Sequence, residues 1–297
     1  MSKPLDLTVI SITGDDAATF LQGQLTQDMT TIDRHWRYAA HCNPKGRAIA
    51  LFVTFSHEGT FYLITPTELE TDSIAQIKKY VMRSKVEINV SDYKAFYLHG
   101  DAAETLLSDH QCHTSGSVQD FSHPDIDELQ FCLNLSTQKS EALLLSTSPT
   151  NGMAAQSASH LSWQQRNIQH GIARLYPSTT GEFTPEALNL DLLEAVNFKK
   201  GCYTGQEIVA RMHYLGKAKK RLFLATLTTE QTYIDKDLIG KNIINPVENK
   251  KIGQVVDQTL PDDGDTLLLV SLNVSTASQE AALDWDIKHT VKITELT

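Results

Sequence analysis

The chain repeats one short pattern twice, and this repeat restricts its fold more than any other feature of the sequence. Residues 12–21 read ITGDDAATFL, and residues 98–107 read LHGDAAETLL. In both segments an apolar run leads into a Gly-Asp turn, and an amphipathic pattern follows the turn. A strand, a tight turn and a helix in the same order predict an α+β fold with two related, ferredoxin-like lobes.

Further strands and a second helix complete the first predicted lobe. The helix is expected from Thr67, because Glu70 stands three residues later, the spacing of a capping box. β-Branched and aromatic residues predict strands at 9–12, 36–41, 48–55, 61–65 and 86–90. In the second lobe, residues 129–135 and 142–147 have strand character, whereas residues 109–126 are polar and predict a loop.

The character of the sequence changes from Arg221 onward. Helices are expected at 163–172 and 188–196, but short apolar strands then alternate with Gly, Asp, Asn and Pro turns, which predicts a small β-barrel. A chain of 297 residues is also too long for one comfortable core. We therefore predict three domains: a discontinuous first lobe of residues 1–90 and 161–215, a second lobe of residues 91–160, and a barrel of residues 216–297.

The net charge of −10 argues against broad contact with nucleic acid, because neutralising phosphates requires a basic face. No apolar run approaches the roughly 20 residues that cross a bilayer. The N-terminus lacks the apolar core of a signal peptide, and the four cysteines lie far apart with no C-x-x-C pair. We therefore expect a cytoplasmic protein with free thiols, no membrane contact and no strong direct binding of nucleic acid.

A metal site is not expected either. His110, Cys112 and His113 lie close in sequence, and thiolate and imidazole are ligands of zinc and iron. Their spacing differs from that of structural zinc sites, which pair their ligands at defined separations along the chain. The sequence therefore predicts no metal bound by these side chains.

The densest group of chemically interesting residues is KKGCYTGQEIVAR at 199–211. Thr204 and Glu207 have the spacing of a capping box, so a helix is expected to begin directly after Thr204. Cys202 then lies just before a helix N-terminus and two residues after Lys200, and both features favour the thiolate. A reactive thiol is therefore one interpretation of Cys202. The other is a small, half-buried side chain in a tight loop, since free cysteine packs well.

This stretch resembles the signature segment of the YgfZ family, which is related to the T-protein of the glycine cleavage system. FLQGQLTQD at 20–28 resembles the first helix of the family, and AAHCNPKGR at 39–47 resembles its first hairpin. IKKYV at 77–81 and the segment 163–171 also fit. The resemblance ends near residue 220, beyond which the chain fits the family in texture alone. It implies two T-protein-like lobes followed by a small barrel.

The resemblance implies a central site between the lobes for tetrahydrofolate or a derivative of it. Trp163 falls at a position where the family has a folate-contacting tryptophan, although a ring on a helix face also packs in a core. The position of a second family tryptophan, counted back from the Ile-Thr-Gly turn, is Leu7 here. Leucine packs against a pterin ring but stacks less well, so the resemblance implies a weaker or reshaped folate site.

Ala50 separates the chain from the aminomethyltransferase to which the family is related. That enzyme has a hairpin aspartate that acts in the folate chemistry, and the corresponding residue here is Ala50, a loss that the YgfZ family shares. A methyl group can neither take a proton nor stabilise an iminium ion. The resemblance therefore implies that the transfer reaction is absent. The alternative is that Asp28 or Glu182 replaces the missing carboxylate.

The resemblance implies the function of a non-enzymatic accessory protein. Such a protein binds tetrahydrofolate and supports iron–sulfur cluster assembly or maintenance in enzymes, including those that modify tRNA, which are its indirect clients. Cys202 and Lys200 would be its working residues, through electron relay, transient cluster binding or a mixed disulfide. Three alternatives stay open: a folate-dependent one-carbon transferase, a direct tRNA-binding protein, and a cluster scaffold, which the scattered cysteines disfavour.

Overall fold

The computed structural model describes residues 3–123, 126–136, 140–147, 157–216, 218–227, 237–259, 265–277, 280–284 and 286–296. Contacts between residues divide the chain into two compact units, each made of several segments. The first unit contains Met1–His41, Ala50–Trp163 and Lys199–Tyr203, and the second contains Cys42–Ile49, Gln164–Phe198 and Thr204–Thr297. The three-domain division made from the sequence is finer than these units and stays a prediction.

Five strands form the first sheet. They are β1 (Leu7–Thr13), β2 (Arg37–Cys42), β3 (Ala48–His57), β4 (Thr60–Pro66) and β5 (Glu87–Val90), in the order β2-β3-β4-β1-β5. β1 is antiparallel to both of its neighbours, and its residue Ile10 faces Leu63 of β4 on one side and Val90 of β5 on the other. The sequence predicts all five strands to within two residues at either end.

Two helices, α1 (Ala17–Gln22) and α2 (Glu70–Lys78), cover one face of this sheet. Their apolar side chains pack with those of the strands into one buried core, which includes Ile10, Ile12, Phe20, Leu21, Phe52, Leu63 and Ile77. The predicted capping box at Thr67 is wrong, because Thr67–Leu69 form a 3-10 turn and α2 begins only at Glu70. The Glu70 carboxylate instead accepts a hydrogen bond from the Thr8 hydroxyl at 2.9 Å.

Four further strands and one helix complete the first unit. The strands are β6 (Lys94–His99), β7 (Val118–His123), β8 (Ile126–Ser136) and β9 (Glu141–Ser146), in the order β6-β9-β8-β7, and α3 (Asp101–Asp109) follows β6. The prediction of a loop over residues 109–126 is therefore wrong in part. β7 is an edge strand, and over residues 118–121, where burial is described, Val118 and Phe121 are buried while Gln119 and Asp120 are half-buried.

The two sheets of the first unit face one another. Side chains from both sheets form a shared core, which includes Val9, Phe55, Ile64, Tyr97, Phe131, Leu133, Leu143 and Leu145. Because successive side chains of a strand point to opposite faces, the alternate residues Phe96, Leu98 and Leu144 pack against α3 instead. The first unit is therefore built in four layers, with helices outside two sheets.

The second unit contains most of α4 (His160–Gln169) and all of α5 (Gln206–Leu215). The helix predicted at 188–196 is wrong: a 3-10 turn at Glu186–Leu188 ends at Asn189, whose φ of 55° is left-handed. The side-chain amide of Asn189 donates to the Leu222 carbonyl at 3.0 Å, and its oxygen accepts from the Leu222 N–H at 3.1 Å. This residue ends the turn and fixes the chain to the barrel.

Six strands close the barrel of the second unit. They are β10 (Lys220–Leu227), β11 (Asn242–Asn245), β12 (Lys250–Thr259), β13 (Thr266–Asn273), β14 (Ala282–Leu283) and β15 (Asp286–Thr294). Their order is β10-β13-β12-β11-β14-β15, and β15 pairs back with β10. The predicted α+β fold class with a C-terminal β-barrel is thus confirmed. Among the helices in the described ranges, none has the length and apolar character needed to cross a membrane.

Candidate functional site

Lys200 fastens the segment Lys199–Tyr203, called the signature segment below, to the loop that follows α1. Its ammonium group donates hydrogen bonds to the carbonyl oxygens of Gln22, Leu25 and Gln27 at 2.8, 2.6 and 2.7 Å. We call these three acceptors the carbonyl ring, and they match the three N–H groups of a lysine ammonium. Lys200 is 8% exposed, and burial lowers the pKa of its ammonium group to about 8.

The loop of residues 22–28 is held in place by β2, so the carbonyl ring has a fixed geometry. The Thr26 N–H donates to the Ala40 carbonyl at 2.9 Å, and the Ala40 N–H donates to the Thr26 hydroxyl at 2.8 Å. Leu25 also forms an isolated β-bridge with His41. These contacts turn the carbonyls of the loop towards one point, which Lys200 occupies.

Asp28 places a carboxylate at the end of the same loop. Its Oδ1 atom accepts hydrogen bonds from the Thr30 hydroxyl at 2.7 Å, from the Thr30 N–H at 3.1 Å and from the Gln22 amide at 3.1 Å. The Thr30 hydroxyl above all keeps the pKa of Asp28 below its usual range, against the effect of burial. A carboxylate held as an anion in this way is a weak proton acceptor.

Cys202 is exposed, and the residues on both sides of it are anchored. Tyr203 is buried, and its ring centre lies 5.2 Å from the Lys200 ammonium nitrogen, within the range of a cation–π contact. Lys200 and Tyr203 therefore hold the backbone while the thiol between them faces solvent. The ammonium group itself is directed at the carbonyl ring, and its predicted effect on the thiol stays a prediction.

Gly46 and Gly205 allow the hairpin turn and the start of α5 to pack closely in the second unit. α5 begins at Gln206, so the predicted start is right to within one residue, but its N-cap is Gly205, and within the described ranges no side chain caps the helix. Gly205 has a φ of 82°, and a Cβ there would lie 2.4 Å from the Asn43 carbonyl oxygen. Gly46 has a φ of 68°, and a Cβ there would lie 2.8 Å from the Ile208 Cβ. The hairpin turn therefore contacts the start of α5 backbone to backbone.

Leu7 and Trp163 both belong to the core between the two sheets of the first unit, Trp163 as a buried member and Leu7 packed against it. Trp163 is 7% exposed, and its ring centroid lies 5.3 Å from that of Tyr97 at an angle of 58°. Leu7 is half-buried on β1, where it faces Pro66 of β4. The two residues predicted to contact folate thus border one core, whereas Lys200 lies beside the loop of residues 22–28.

Ala50 lies on β3 and faces the opposite side of the first sheet. It is fully buried in the apolar core under α1 and α2, together with Phe52 and Phe20. Of the two carboxylates that could replace a missing aspartate, Asp28 is held by the contacts above, and Glu182 is exposed in the second unit. Ala50, the residue that the resemblance places at the transferase aspartate, is therefore part of the apolar core.

The sequence gives no signal for the carbonyl ring or for His41, which lies beside it on β2. Every residue has a carbonyl, so only the fold shows which three converge. His41 is buried, burial lowers its pKa to about 4, and neither ring nitrogen has a hydrogen-bond partner in the described part of the chain. Within that part no three His, Cys, Asp or Glu side chains are arranged to hold a metal.

Residues 6–169 match the family described as GCVT N-terminal domain. The chain is 30% identical over 267 residues to the tRNA-modifying protein YgfZ of Colwellia psychrerythraea strain 34H, covering 87% of this chain and 81% of that protein. It is 31% identical over 276 residues to the tRNA-modifying protein YgfZ of Aliivibrio fischeri strain MJ11, covering 92% of this chain and 84% of that protein.

The fold is similar to that of the glycine cleavage system aminomethyltransferase T from Bartonella henselae. The TM-score is 0.71 at 16% sequence identity, and the match covers 98% of this chain and 83% of that chain. Similarity at this identity concerns the fold alone, and it confirms the predicted T-protein-like architecture.

Proposed function

The chain belongs to the YgfZ family of tRNA-modifying proteins, and from this membership we propose that it is a tetrahydrofolate-binding accessory protein. In this proposal the protein supports iron–sulfur enzymes, including those that modify tRNA, and thereby contributes to tRNA processing. Folate is its direct ligand, the enzymes are indirect clients, and the cytoplasm is the compartment that this role implies.

The observation that carries the proposal is that Leu7 and Trp163 border the same core. The two residues are far apart in sequence, and the family resemblance implies folate contact for each. A pterin needs flat apolar contact on its ring faces, the kind of contact that an indole ring and a leucine side chain provide. Their place at one core supports a single folate site in the first unit.

The non-enzymatic part of the proposal rests on Ala50 and Asp28. Ala50 is packed into the core, and it stands at the position to which the resemblance assigns the catalytic carboxylate of the transferase. Asp28 has a lowered pKa, and general bases work best when their pKa lies near the working pH. Both observations favour a ligand-binding role over one-carbon transfer.

In this proposal Cys202 is the reactive group and Lys200 is a positioning residue. The thiol is exposed on a segment whose backbone is fixed by the carbonyl ring. A rigid, accessible thiol suits electron relay, transient cluster binding or a mixed disulfide with a client protein. Direct, strong binding of nucleic acid is not part of this role, given the net charge of −10.

Anaerobic calorimetric titration with tetrahydrofolate tests the folate site. We expect saturable binding by the wild type, and we expect Leu7→Trp to tighten it by about threefold to tenfold, as an added aromatic contact provides. Trp163→Phe is expected to weaken binding by a similar factor. Phenylalanine is preferred to alanine because truncating a buried tryptophan costs about 3–5 kcal/mol of stability.

Trp36→Phe is the matched control for the titration. Trp36 belongs to the same core as Trp163, but its indole N–H donates to the Asn134 carbonyl at 2.7 Å, and it is not assigned to folate. Its replacement should leave folate affinity unchanged. Equal weakening by both tryptophan variants would show a general loosening of the core, and no saturable binding by the wild type would remove the folate proposal.

The transferase alternative is tested by turnover of methylenetetrahydrofolate and of an aminomethyl donor. We expect no product above the uncatalysed rate, because no carboxylate occupies the position of Ala50. If product forms, Asp28→Asn and Glu182→Gln test which carboxylate takes the place of the missing aspartate. Loss of turnover in either variant would establish the protein as a one-carbon transferase.

A further inference from the structure

Residues 78–85, which read KKYVMRSK, form an exposed basic loop on an otherwise acidic chain. Lys78 ends α2, and the other residues lead from it towards β5. Lys78, Lys79, Arg83 and Lys85 are all exposed, and no aspartate or glutamate occurs between residues 78 and 86. We call this segment the basic loop, and it concentrates four cations within eight residues.

Ordinary structural roles account for only part of the basic loop. A cation at a helix C-terminus is favourable, which explains Lys78, and Lys85 forms an ion pair with Asp15 at 3.2 Å. These roles do not explain Met82, which is 90% exposed with a left-handed φ of 31°. They also do not explain Arg83, which has no ion-pair partner among the residues that the structure describes. Tyr80, at 39%, is unusually exposed for an aromatic residue as well.

The basic loop is connected to the signature segment by a short chain of contacts inside the first unit. The Tyr80 ring lies edge-on to His41, with ring centroids 6.4 Å apart. His41 bridges to Leu25, and the Leu25 carbonyl accepts a hydrogen bond from Lys200 at 2.6 Å. Tyr80 of the basic loop is therefore connected through His41 to the loop of residues 22–28, to which Lys200 of the signature segment also binds.

We propose that the basic loop contacts RNA, with Lys78, Lys79 and Arg83 on phosphates and Tyr80 against an unpaired base. Cations interspersed with an exposed aromatic ring suit a flexible polyanion whose bases have π-faces. The negative charge of the rest of the chain confines this contact to the loop, so binding is weak and salt-sensitive. The inference rests on the proposed role in tRNA modification, and it adds a place where the protein touches the nucleic acid.

The test is fluorescence anisotropy with a fluorescein-labelled, unmodified tRNA transcript, titrated with full-length protein between about 50 and about 200 mM salt. At the lowest salt, Lys78→Gln/Arg83→Gln is expected to weaken binding by about tenfold or more, and the log–log salt slope should fall by about 2. The control is Lys250→Gln/Lys251→Gln, which removes two exposed cations from β12 in the second unit and should bind as the wild type does.

Tyr80→Leu separates stacking from charge. It should weaken binding several-fold while the salt slope stays unchanged, because no phosphate contact is lost. Absence of binding by the wild type at the lowest salt overturns the proposal, as does equal weakening by both double variants. Binding to phosphatidylserine vesicles without binding to the transcript would reassign the basic loop to a membrane surface.

Failure of the RNA-binding test can be distinguished from failure of the folate titration. Lys78→Gln/Arg83→Gln lies outside the core of Leu7 and Trp163 and should titrate with tetrahydrofolate as the wild type does. A protein that binds folate but no RNA loses only the inference about the basic loop. A protein that binds RNA through this loop but no folate loses only the folate proposal.

Discussion

Lys200→Met is expected to lower the free energy of unfolding of the first unit by about 3–5 kcal/mol. Methionine keeps the length and the apolar stem of the side chain but removes all three donors. The carbonyls of Gln22, Leu25 and Gln27 then lose the ammonium donor that they share. Urea unfolding measures the loss, and hydrogen exchange should show faster opening of residues 22–28 before any other part of the unit.

Lys199→Met is the matched control for this substitution. Lys199 is the neighbouring lysine of the signature segment and is exposed, so the same change should alter stability by less than about 0.5 kcal/mol. If Lys200→Met were as mild as its neighbour, the carbonyl ring would not hold the segment, and the fixed backbone that we ascribe to Cys202 would have no support.

Gly205→Ala is expected to destabilise the second unit by more than about 3 kcal/mol. The new Cβ would lie 2.4 Å from the Asn43 carbonyl oxygen and 3.0 Å from the Gly46 Cα, and both are backbone atoms with little freedom to move. The left-handed φ of 82° adds a conformational cost. Thermal unfolding followed by circular dichroism measures the effect.

Gly201→Ala is the control for Gly205→Ala, because it adds the same methyl group at a nearby glycine. Among the residues that the structure describes, no heavy atom lies within 4 Å of a Cβ built at Gly201, so this substitution should change the unfolding temperature by no more than a few degrees. A mild Gly205→Ala variant would contradict the close contact between the hairpin turn and the start of α5.

Elements with strong local patterns could be predicted from the sequence. The five strands of the first sheet alternate or run apolar over several residues, and the echo of residues 12–21 and 98–107 marks α1 and α3. Local pattern failed where a distant partner decides the conformation. Residues 188–196 have helical spacing, but the side chain of Asn189 binds the backbone of Leu222 and stops the helix.

The capping boxes failed for a similar reason. Thr67 and Glu70 have the required spacing, yet the carboxylate of Glu70 is taken by Thr8 of β1. Thr204 and Glu207 have it too, yet the left-handed Gly205 sits between them as the N-cap of α5. A motif defined by spacing specifies which residues can pair, and tertiary contacts decide whether they do.

The candidate site could be predicted in part. The resemblance indicated Leu7, Trp163 and Cys202, and the fold adds that the first two share a core while Cys202 is exposed. The sequence predicts an electrostatic effect of Lys200 on Cys202, whereas the Lys200 ammonium group donates to backbone carbonyls. Burial of a lysine and the convergence of carbonyls depend on the fold and cannot be read from residue types.

The carbonyl ring also has a consequence for the order of folding during synthesis. Gln22 precedes Lys200 by 178 residues, and the ring has no ammonium donor until that residue leaves the ribosome. At about 5–20 residues per second, the nascent N-terminal segment waits on the order of 10–30 s in this state. Contacts of such high sequence separation also slow refolding of the finished chain. The first unit therefore gains its full stability only after two-thirds of the protein has been translated.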